Sequence, residues 1–433
     1  MPGSSGLSDH FWKMVLPQIA YTDAGAHTTC VALGAAVSYH RGRHRRDISA
    51  IYRYYGRAVS RIQQDLAERP GEVTCLVTMC LLLVVTDLLM ERRSQALSHL
   101  QGSLTLLRRR QISTTEHEPD ADDKFVMSDV VDTVGMILDI SASSFALELP
   151  PRLPRLIIPE SGAEGDGLRT SDQELHVLAS LHASYAFLNA ASKFKYVPMK
   201  FRPLGIEIDQ HRHIGNLLSV LRSISSNLEC GSVHSRTRLT VLRAQCHSCL
   251  IWVSTILDPW ESAYDLYTQL FKTIVNDARL SIGRISNSVQ RLSSVFSADL
   301  GIVQPLWFTA SKSRDLEIRL EAIELLSKSG RNGPFDGSVL AAVARRAVDL
   351  EHSTLDDKLD DQSILSSLVP ERSRICGCGP DVEALARLDD QSIKAYFSLC
   401  KDVKKMMAEE TPVGYENESH WEIWTERIPL SPR

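Results

Sequence analysis

The sequence predicts an all-α protein, built as a large multi-helix array. Apolar residues recur in steps of three and four along most of the 433 residues. The sequence has neither a run of alternating strands nor a GxGxxG motif after a strand. A hydrophobic fraction of 43% is typical of a chain that buries a core. We therefore expect ten or more helices of about 10–20 residues.

The first predicted part, residues 1–150, is helical. The segment "IYRYYGRAVSRIQQDL" (residues 51–66) places its apolar residues on one helix face, and Pro70-Gly71 ends it. The next run, "VTCLVTMCLLLVVT" (residues 73–86), is shorter than the ~20 residues that cross a bilayer. It therefore predicts a buried central helix. Two further helices are predicted in "SQALSHLQGSLTLLRRR" and "FVMSDVVDTVGMILDI".

Three more parts follow in the same predicted domain. Residues 151–170 are rich in proline and glycine and predict an extended connection. Residues 171–352 form a central helical part, which opens on the capping box Ser171–Glu174 and includes a glycine-rich turn, "GRNGPFDG". Residues 353–433 are predicted to be polar loops and a C-terminal helix within "DDQSIKAYFSLCKDVKKMMAEE".

Charge and cysteine content exclude some functions. The formal net charge of −5 argues against DNA binding by this chain alone. The nine cysteines are irregularly spaced, and the start shows no secretory pattern, so we expect an intracellular protein with reduced thiols. A cluster of basic residues is interpreted as a solvated loop between helices, and the alternative interpretation is a nuclear localisation signal or a phosphate contact. It consists of Arg41, Arg43, Arg45 and Arg46.

No familiar catalytic or metal motif has suitable spacing. Cys246 and Cys249 in "CHSC" lack a second ligand pair, so buried thiols are favoured over a metal or redox site. The acidic segment "EPDADDK" favours a solvated loop over a Mg²⁺ site. His211 and His213 are expected at the surface. We therefore predict no cofactor and no metal.

Four stretches carry a common pattern. The first is "ALGAAVSYH", and the second places Asp87 in the apolar helix before "HLQGSLTLL". The third is "LDISASSFALELPPRLP", which contains Asp139. The fourth is "DLGIVQPLWFTASKSRDLEIRLEAIELL". In this order they resemble the fungal-specific transcription factor domain, the regulatory domain of fungal Zn2Cys6 transcription factors.

The resemblance implies a helical regulatory fold and a set of residues with ligand-binding or structural roles. These are Asp87, His99, Asp139, Lys312, Arg314 and Asp315. Arg314, Asp315 and Arg319 are expected between helices. The chain departs from the family pattern at Glu91-Arg92-Arg93, where a glycine is common, and at Ser141, which replaces a glutamine.

The family's DNA-binding module has no counterpart in this sequence. That module uses six cysteines to bind two zinc ions, and only Cys30 precedes residue 70 here. We therefore expect no direct DNA binding by these residues. A zinc cluster encoded upstream of Met1 is the third hypothesis that the sequence leaves open, beside the two functions below.

Two functions remain open at this point. The first is a nuclear or cytoplasmic transcription-factor-like regulator, of fungal secondary metabolism by the resemblance, acting with a DNA-bound partner, a homodimer or a small effector. The second is a biosynthetic protein whose helical cavity holds an intermediate and promotes a cyclisation or rearrangement. Neither function calls for a membrane.

Overall fold

The computed structural model describes most of the chain in thirteen ranges. They are residues 10–40, 48–68, 73–90, 92–114, 122–145, 170–230, 233–288, 296–297, 299–333, 335–353, 369–381, 392–408 and 420–430. The basic patch Arg41, Arg43, Arg45 and Arg46, most of the predicted 151–170 connection and much of "EPDADDK" lie outside them. The described part contains 14 α-helices, and the predicted mostly all-α class is confirmed.

The described residues divide into two compact units. The first holds those within 10–143, 170–182 and 296–300, and the second holds 144–145, 183–288 and 301–430. The first unit contains six helices, together with residues 170–182 of the next helix, and the last two residues of the sixth helix belong to the second unit. The six are α1 (Leu16–Thr22, preceded by a π-helix at Phe11–Val15), α2 (Ala24–His40), α3 (Ile48–Glu68), α4 (Val73–Leu89), α5 (Arg93–Thr114) and α6 (Asp122–Phe145).

Helix α4 is the central helix of the first unit, as its apolar run predicts. Every residue from Leu76 to Leu89 is buried. Helix α4 contacts α2, α3 and α5. A helix that is apolar all round needs partners on several sides, and these three neighbours supply them. Across the described ranges, no helix combines the length and hydropathy of a membrane span.

The second unit contains the remaining helices and most of the strands. Its helices are α7 (Thr170–Ser192, from residue 183), α8 (Ile206–Cys230), α9 (Val233–Thr255), a 3-10 helix (Glu261–Tyr267), α10 (Thr268–Ser288), α11 (Val303–Lys312), α12 (Leu316–Lys328), α13 (Gly337–Ser353) and α14 (Val403–Ala408). Phe308 lies at the centre of its main core, against the rings of Trp252, Tyr264 and Phe271 at centroid distances of 5.3, 6.0 and 6.0 Å.

The proline in "QPLWFTASK" does not interrupt a helix. Pro305 is the third residue of α11, where a backbone N–H would lack an intrahelical acceptor in any case. Helix α11 ends at Lys312, and α12 begins after Asp315.

Short strands complete the secondary structure. The strands β1 (Phe296–Ser297), β2 (Arg331–Asn332) and β3 (Phe335–Asp336) have two residues each, and β2 pairs antiparallel with β3 in the glycine-rich turn. The longer strands β4 (Ile375–Pro380), β5 (Ser392–Cys400) and β6 (Trp421–Pro429) form an antiparallel sheet in the order β4-β5-β6.

The sheet corrects the prediction for residues 353–433. The predicted helix is wrong over residues 392–400, which form β5, and the helix begins only at Val403. The reason is an alternation: Ile393, Ala395 and Phe397 are buried while Lys394 and Tyr396 are exposed. Within the sheet's apolar cluster, the buried β5 residues meet Val339, Val343 and Ala347 of α13.

The "CGCG" motif belongs to β4. A Cβ atom at Gly377 would lie 2.8 Å from the Ser398 hydroxyl, and one at Gly379 would lie 2.9 Å from the Tyr396 ring. The two glycines therefore leave room for side chains of β5 to lie across β4.

Candidate functional site

In the first unit, Asp87 is the centre of a polar cluster that joins three elements. Its side chain is fully buried in α4. The Tyr55 hydroxyl of α3 donates to Asp87 Oδ2 at 3.0 Å and lies 2.8 Å from His99 Nε2 of α5. Because a hydroxyl carries one proton, His99 must donate its Nε2–H to Tyr55 when Tyr55 donates to Asp87.

Arg92 supplies the opposite charge. Its Nη2 lies 2.6 Å from Asp87 Oδ1, and its guanidinium lies over the Tyr55 ring at 4.2 Å from the centroid. Arg92 belongs to the turn at which the sequence departs from the family pattern. That departure was the only sequence signal for Arg92, and Tyr55 had none beyond its place on an amphipathic helix.

Burial dominates the electrostatics of this cluster. Desolvation raises the pKa of Asp87 to about 6, although the Arg92 charge and the hydrogen bond from Tyr55 oppose the rise. Desolvation, with the Arg92 charge, lowers the pKa of His99. About a quarter of the His99 and Arg92 side chains is exposed. The cluster can therefore exchange a proton with solvent close to neutral pH.

Asp139 lies in a second buried pair in the same unit. Its Oδ2 is 3.0 Å from His182 Nε2, and both side chains are almost fully buried. The pair connects α6 with α7. This contact, like the one between Asp87 and Tyr55, joins residues far apart in the sequence.

In the second unit, Glu261 anchors a buried ionic network. Its two carboxylate oxygens accept from Lys195 Nζ and Lys312 Nζ, each at 2.7 Å. Lys312 also donates to the Cys376 carbonyl at 2.6 Å, so the network reaches β4. Desolvation alone would raise the pKa of Glu261, but the charges of Lys195, Lys312 and Arg314 outweigh it and hold the pKa at about 2.

Glu351 of α13 anchors the other half of the network. Its Oε1 lies 2.9 Å from Arg314 Nη2 and accepts from the Ile375 backbone N–H at 2.7 Å, while Oε2 accepts from Arg319. Arg319 also donates to the Ala310 carbonyl at 2.7 Å. All three charged side chains are at most 2% exposed. One carboxylate thus ties α13 to α12, to β4 and to the loop between α11 and α12.

Arg314 and Asp315 have separate roles. Asp315 is the N-cap of α12, and its side chain accepts from the Ile318 N–H at 3.1 Å. Arg314 instead pairs with Glu351. Arg314 and Asp315 lie between α11 and α12, whereas Arg319 belongs to α12 and contacts Ala310 of α11 and Glu351 of α13. No sequence pattern pointed to Glu351 or Glu261.

The thiols near this network are poor nucleophiles. Desolvation raises the pKa of Cys376 to about 12 and that of Cys378 to about 11. Cys246 and Cys249 are fully buried free thiols on α9, and burial raises the pKa of both. All four therefore remain protonated at neutral pH.

The two histidines of the "HRH" segment, His211 and His213, lie in different environments. His211 is exposed, whereas His213 is buried and stacked on Phe187 at 5.0 Å, which corrects the expectation that both lie at the surface. Across the residues that the structure describes, no three or more His, Cys, Asp and Glu side chains form a group that could hold a metal ion.

Comparison with protein families finds a match in the first part of the chain. Residues 2–145 match the fungal specific transcription factor domain. The resemblance seen in the sequence is confirmed over this range, which includes Asp87, His99 and Asp139, and stays a prediction for the later residues. Neither the curated proteins nor the solved structures gave a match.

Proposed function

We propose that the chain is a transcription-factor-like regulator that works in the nucleus through a DNA-bound partner factor, and that its targets are genes of a fungal secondary-metabolite pathway. The match of residues 2–145 to a domain of fungal transcription factors carries the proposal. The net charge of −5 favours action through a partner over direct DNA contact by these residues.

We assign a structural role in this regulator to the Tyr55–Asp87–Arg92–His99 cluster and to the ionic network of Glu261 and Glu351. Each joins helices and loops distant in the sequence, through hydrogen bonds and ion pairs of buried carboxylates. Such pairs fix the relative placement of the elements that carry them. In the Tyr55–Asp87–Arg92–His99 cluster, partial exposure also gives a small effector access to polar groups.

Deletion of the gene tests the proposed function. We expect transcripts of a co-regulated set of genes to fall, and re-expression of the full chain to restore them. Unchanged transcripts together with an accumulated pathway intermediate would contradict the proposal and indicate the biosynthetic alternative instead. Measuring transcripts and metabolites in the same cultures separates the two outcomes.

A further inference from the structure

Exposed apolar side chains are concentrated in one segment of the second unit. Among the described residues, 14 large apolar residues are exposed, and four of them lie within ten positions. These four are Met199, Phe201, Leu204 and Ile208. Leu218 is exposed on the solvent-facing side of the same helix, α8, whose other side is buried. Concentrated apolar exposure of this kind marks binding surfaces.

The loop that carries these side chains is held firmly by its own contacts. Arg202 donates to the Val197 carbonyl and to the Leu257 carbonyl, at 2.8 and 2.7 Å. The N–H groups of Phe201 and Arg202 bond to Pro198 and Met199. Gly205, at φ +89°, makes the turn into α8 in a conformation that favours glycine. The exposed apolar groups are therefore presented by an ordered backbone.

The surface is also basic, in contrast to the whole chain. Four of the six lysines and arginines in residues 193–222 are exposed, against two carboxylates, whereas the net charge of the protein is −5. The exposed cations are Lys193, Lys200, Arg212 and Arg222. Lys200 Nζ lies 4.7 Å from the centroid of the exposed Phe201 ring. The two carboxylates, Glu207 and Asp209, lie near cations of the same segment, Arg202 at 3.9 Å and Arg212 at 2.6 Å.

We propose that this apolar–basic surface, formed by Met199, Lys200, Phe201, Leu204, Ile208, Arg212, Leu218 and Arg222, binds an acidic amphipathic helix of a partner protein. The apolar side of such a helix would cover the exposed Met, Phe, Leu and Ile side chains. Its carboxylates would face the surrounding lysine and arginines. The inference adds the chemistry of the partner to the proposed function.

Two other occupants fit the surface less well. A second copy of the chain in an isologous contact would bring Lys200, Arg212 and Arg222 against the same cations, which repel one another. An anionic membrane would meet Glu207 and Asp209 within the surface and a protein whose net charge is negative. An acidic helix can instead place its charges opposite the cations alone.

The test uses the full chain and a designed peptide of about 18 residues, with leucines at helical spacing and flanking glutamates. Its fluorescence anisotropy is titrated with the protein, beside a scrambled peptide of equal composition. We expect the designed peptide to bind, and the scrambled one to bind at least about tenfold more weakly. Equal binding of both peptides, or binding of neither, would overturn the proposal.

Matched variants locate the binding surface. The double change Leu204→Glu with Ile208→Glu, and separately Lys200→Glu, should each weaken binding about tenfold or more. Leu280→Glu, at an exposed leucine on α10, serves as the control and should leave binding unchanged. Circular dichroism checks that the variants fold. All substituted side chains are exposed, and wild-type affinity in both surface variants would refute the assignment.

Two further measurements address the other occupants. Sedimentation equilibrium of the wild type and the Leu204→Glu, Ile208→Glu variant should give the same mass, and a dimer lost in the variant would show that a second copy covers the surface. Vesicles containing anionic lipid should not bind the wild type. Vesicle binding that the same variant abolishes would contradict the proposal in favour of a membrane. Whether transcripts fall on deletion of the gene does not depend on any of these binding experiments, so the proposed function and the proposed binding surface can fail separately.

Discussion

At the scale of single residues, buried carboxylates determine how charges are held inside the protein. Glu351 pairs with two buried guanidinium groups and also accepts a backbone N–H. We predict that Glu351→Gln lowers the free energy of unfolding by about 3–5 kcal/mol, because Arg314 and Arg319 remain buried after losing the carboxylate that pairs with both. Urea unfolding at neutral pH measures the change.

A matched control uses an exposed ion pair of α12. Glu324→Gln removes the partner of Lys328, whose contact with Glu324 is open to solvent. Its unfolding midpoint should equal that of the wild type. If Glu351→Gln also unfolds at the wild-type midpoint, the network does not contribute in the way that its geometry indicates.

The lowered pKa of Glu261 predicts that the protein loses stability in acid. Its folded-state pKa of about 2 lies below the ordinary glutamate pKa of 4.5, so its contribution is complete above pH 4.5 and disappears as the pH falls towards 2. The contribution is about 3 kcal/mol at neutral pH. The difference in unfolding free energy between the wild type and Glu261→Gln should shrink over this range, and a constant difference would disprove the assignment.

The raised pKa of Asp87 predicts the opposite dependence of stability on pH. Its folded-state pKa of about 6 lies above the ordinary aspartate pKa of 3.8, so its favourable contribution is present below pH 3.8 and lost as the pH rises through 6. Relative to Asp87→Asn, the wild type should become less stable between pH 4 and pH 7. Thermal unfolding of both proteins across that range measures the trend, and a reversed trend would mean that Arg92 outweighs burial.

The sequence identified some of these residues but few of their partners. Asp87, His99 and Arg314 stood out through the family resemblance, whereas Tyr55 and Glu351 did not. Tyr55 lies 32 positions from Asp87, and Glu351 lies 32 positions from Arg319. Local spacing carries no information about pairs that only the fold brings together.

At the scale of elements, the glycine-rich turn between α12 and α13 depends on close backbone packing. A Cβ atom at Gly337 would overlap the Leu326 carbonyl oxygen and the Ser329 hydroxyl. We predict that Gly337→Ala lowers the free energy of unfolding by about 1–3 kcal/mol, because the backbone must shift to relieve the overlap. Differential scanning calorimetry of the full chain measures the effect.

Gly283 provides the comparison for that substitution. It lies in α10, and a Cβ atom there would meet nothing within 4 Å. Gly283→Ala should leave stability unchanged or raise it by up to ~1 kcal/mol, because alanine favours helices. Equal destabilisation by both substitutions would show that the turn has no special packing requirement.

Helices were easier to predict than strands in this chain. The patterns "EIRLEAIELLSKS" and "GSVLAAVARRAVDLE" correspond to α12 and α13 within a few residues. Strand β4 was missed because glycines at 377 and 379 disfavour strands, and β5 because it lies next to a helical segment. Both strands are stabilised by α13 and by each other, which are tertiary effects.

At the scale of the whole molecule, the family match and the proposed binding surface lie in different units. The family match lies in residues 2–145, which include the Tyr55–Asp87–Arg92–His99 cluster. The apolar–basic surface lies in the second unit. A regulator that reaches promoters through a partner would use such a surface to bind that partner, whereas a protein acting on a metabolite would have no need to be at chromatin.

Chromatin immunoprecipitation of the tagged full chain therefore tests the central claim most directly. We predict that the chain is enriched at promoters of the genes whose transcripts fall on deletion, and that Leu204→Glu with Ile208→Glu reduces this enrichment while the protein level is unchanged. Background occupancy of the wild-type chain at every one of those promoters would contradict the account.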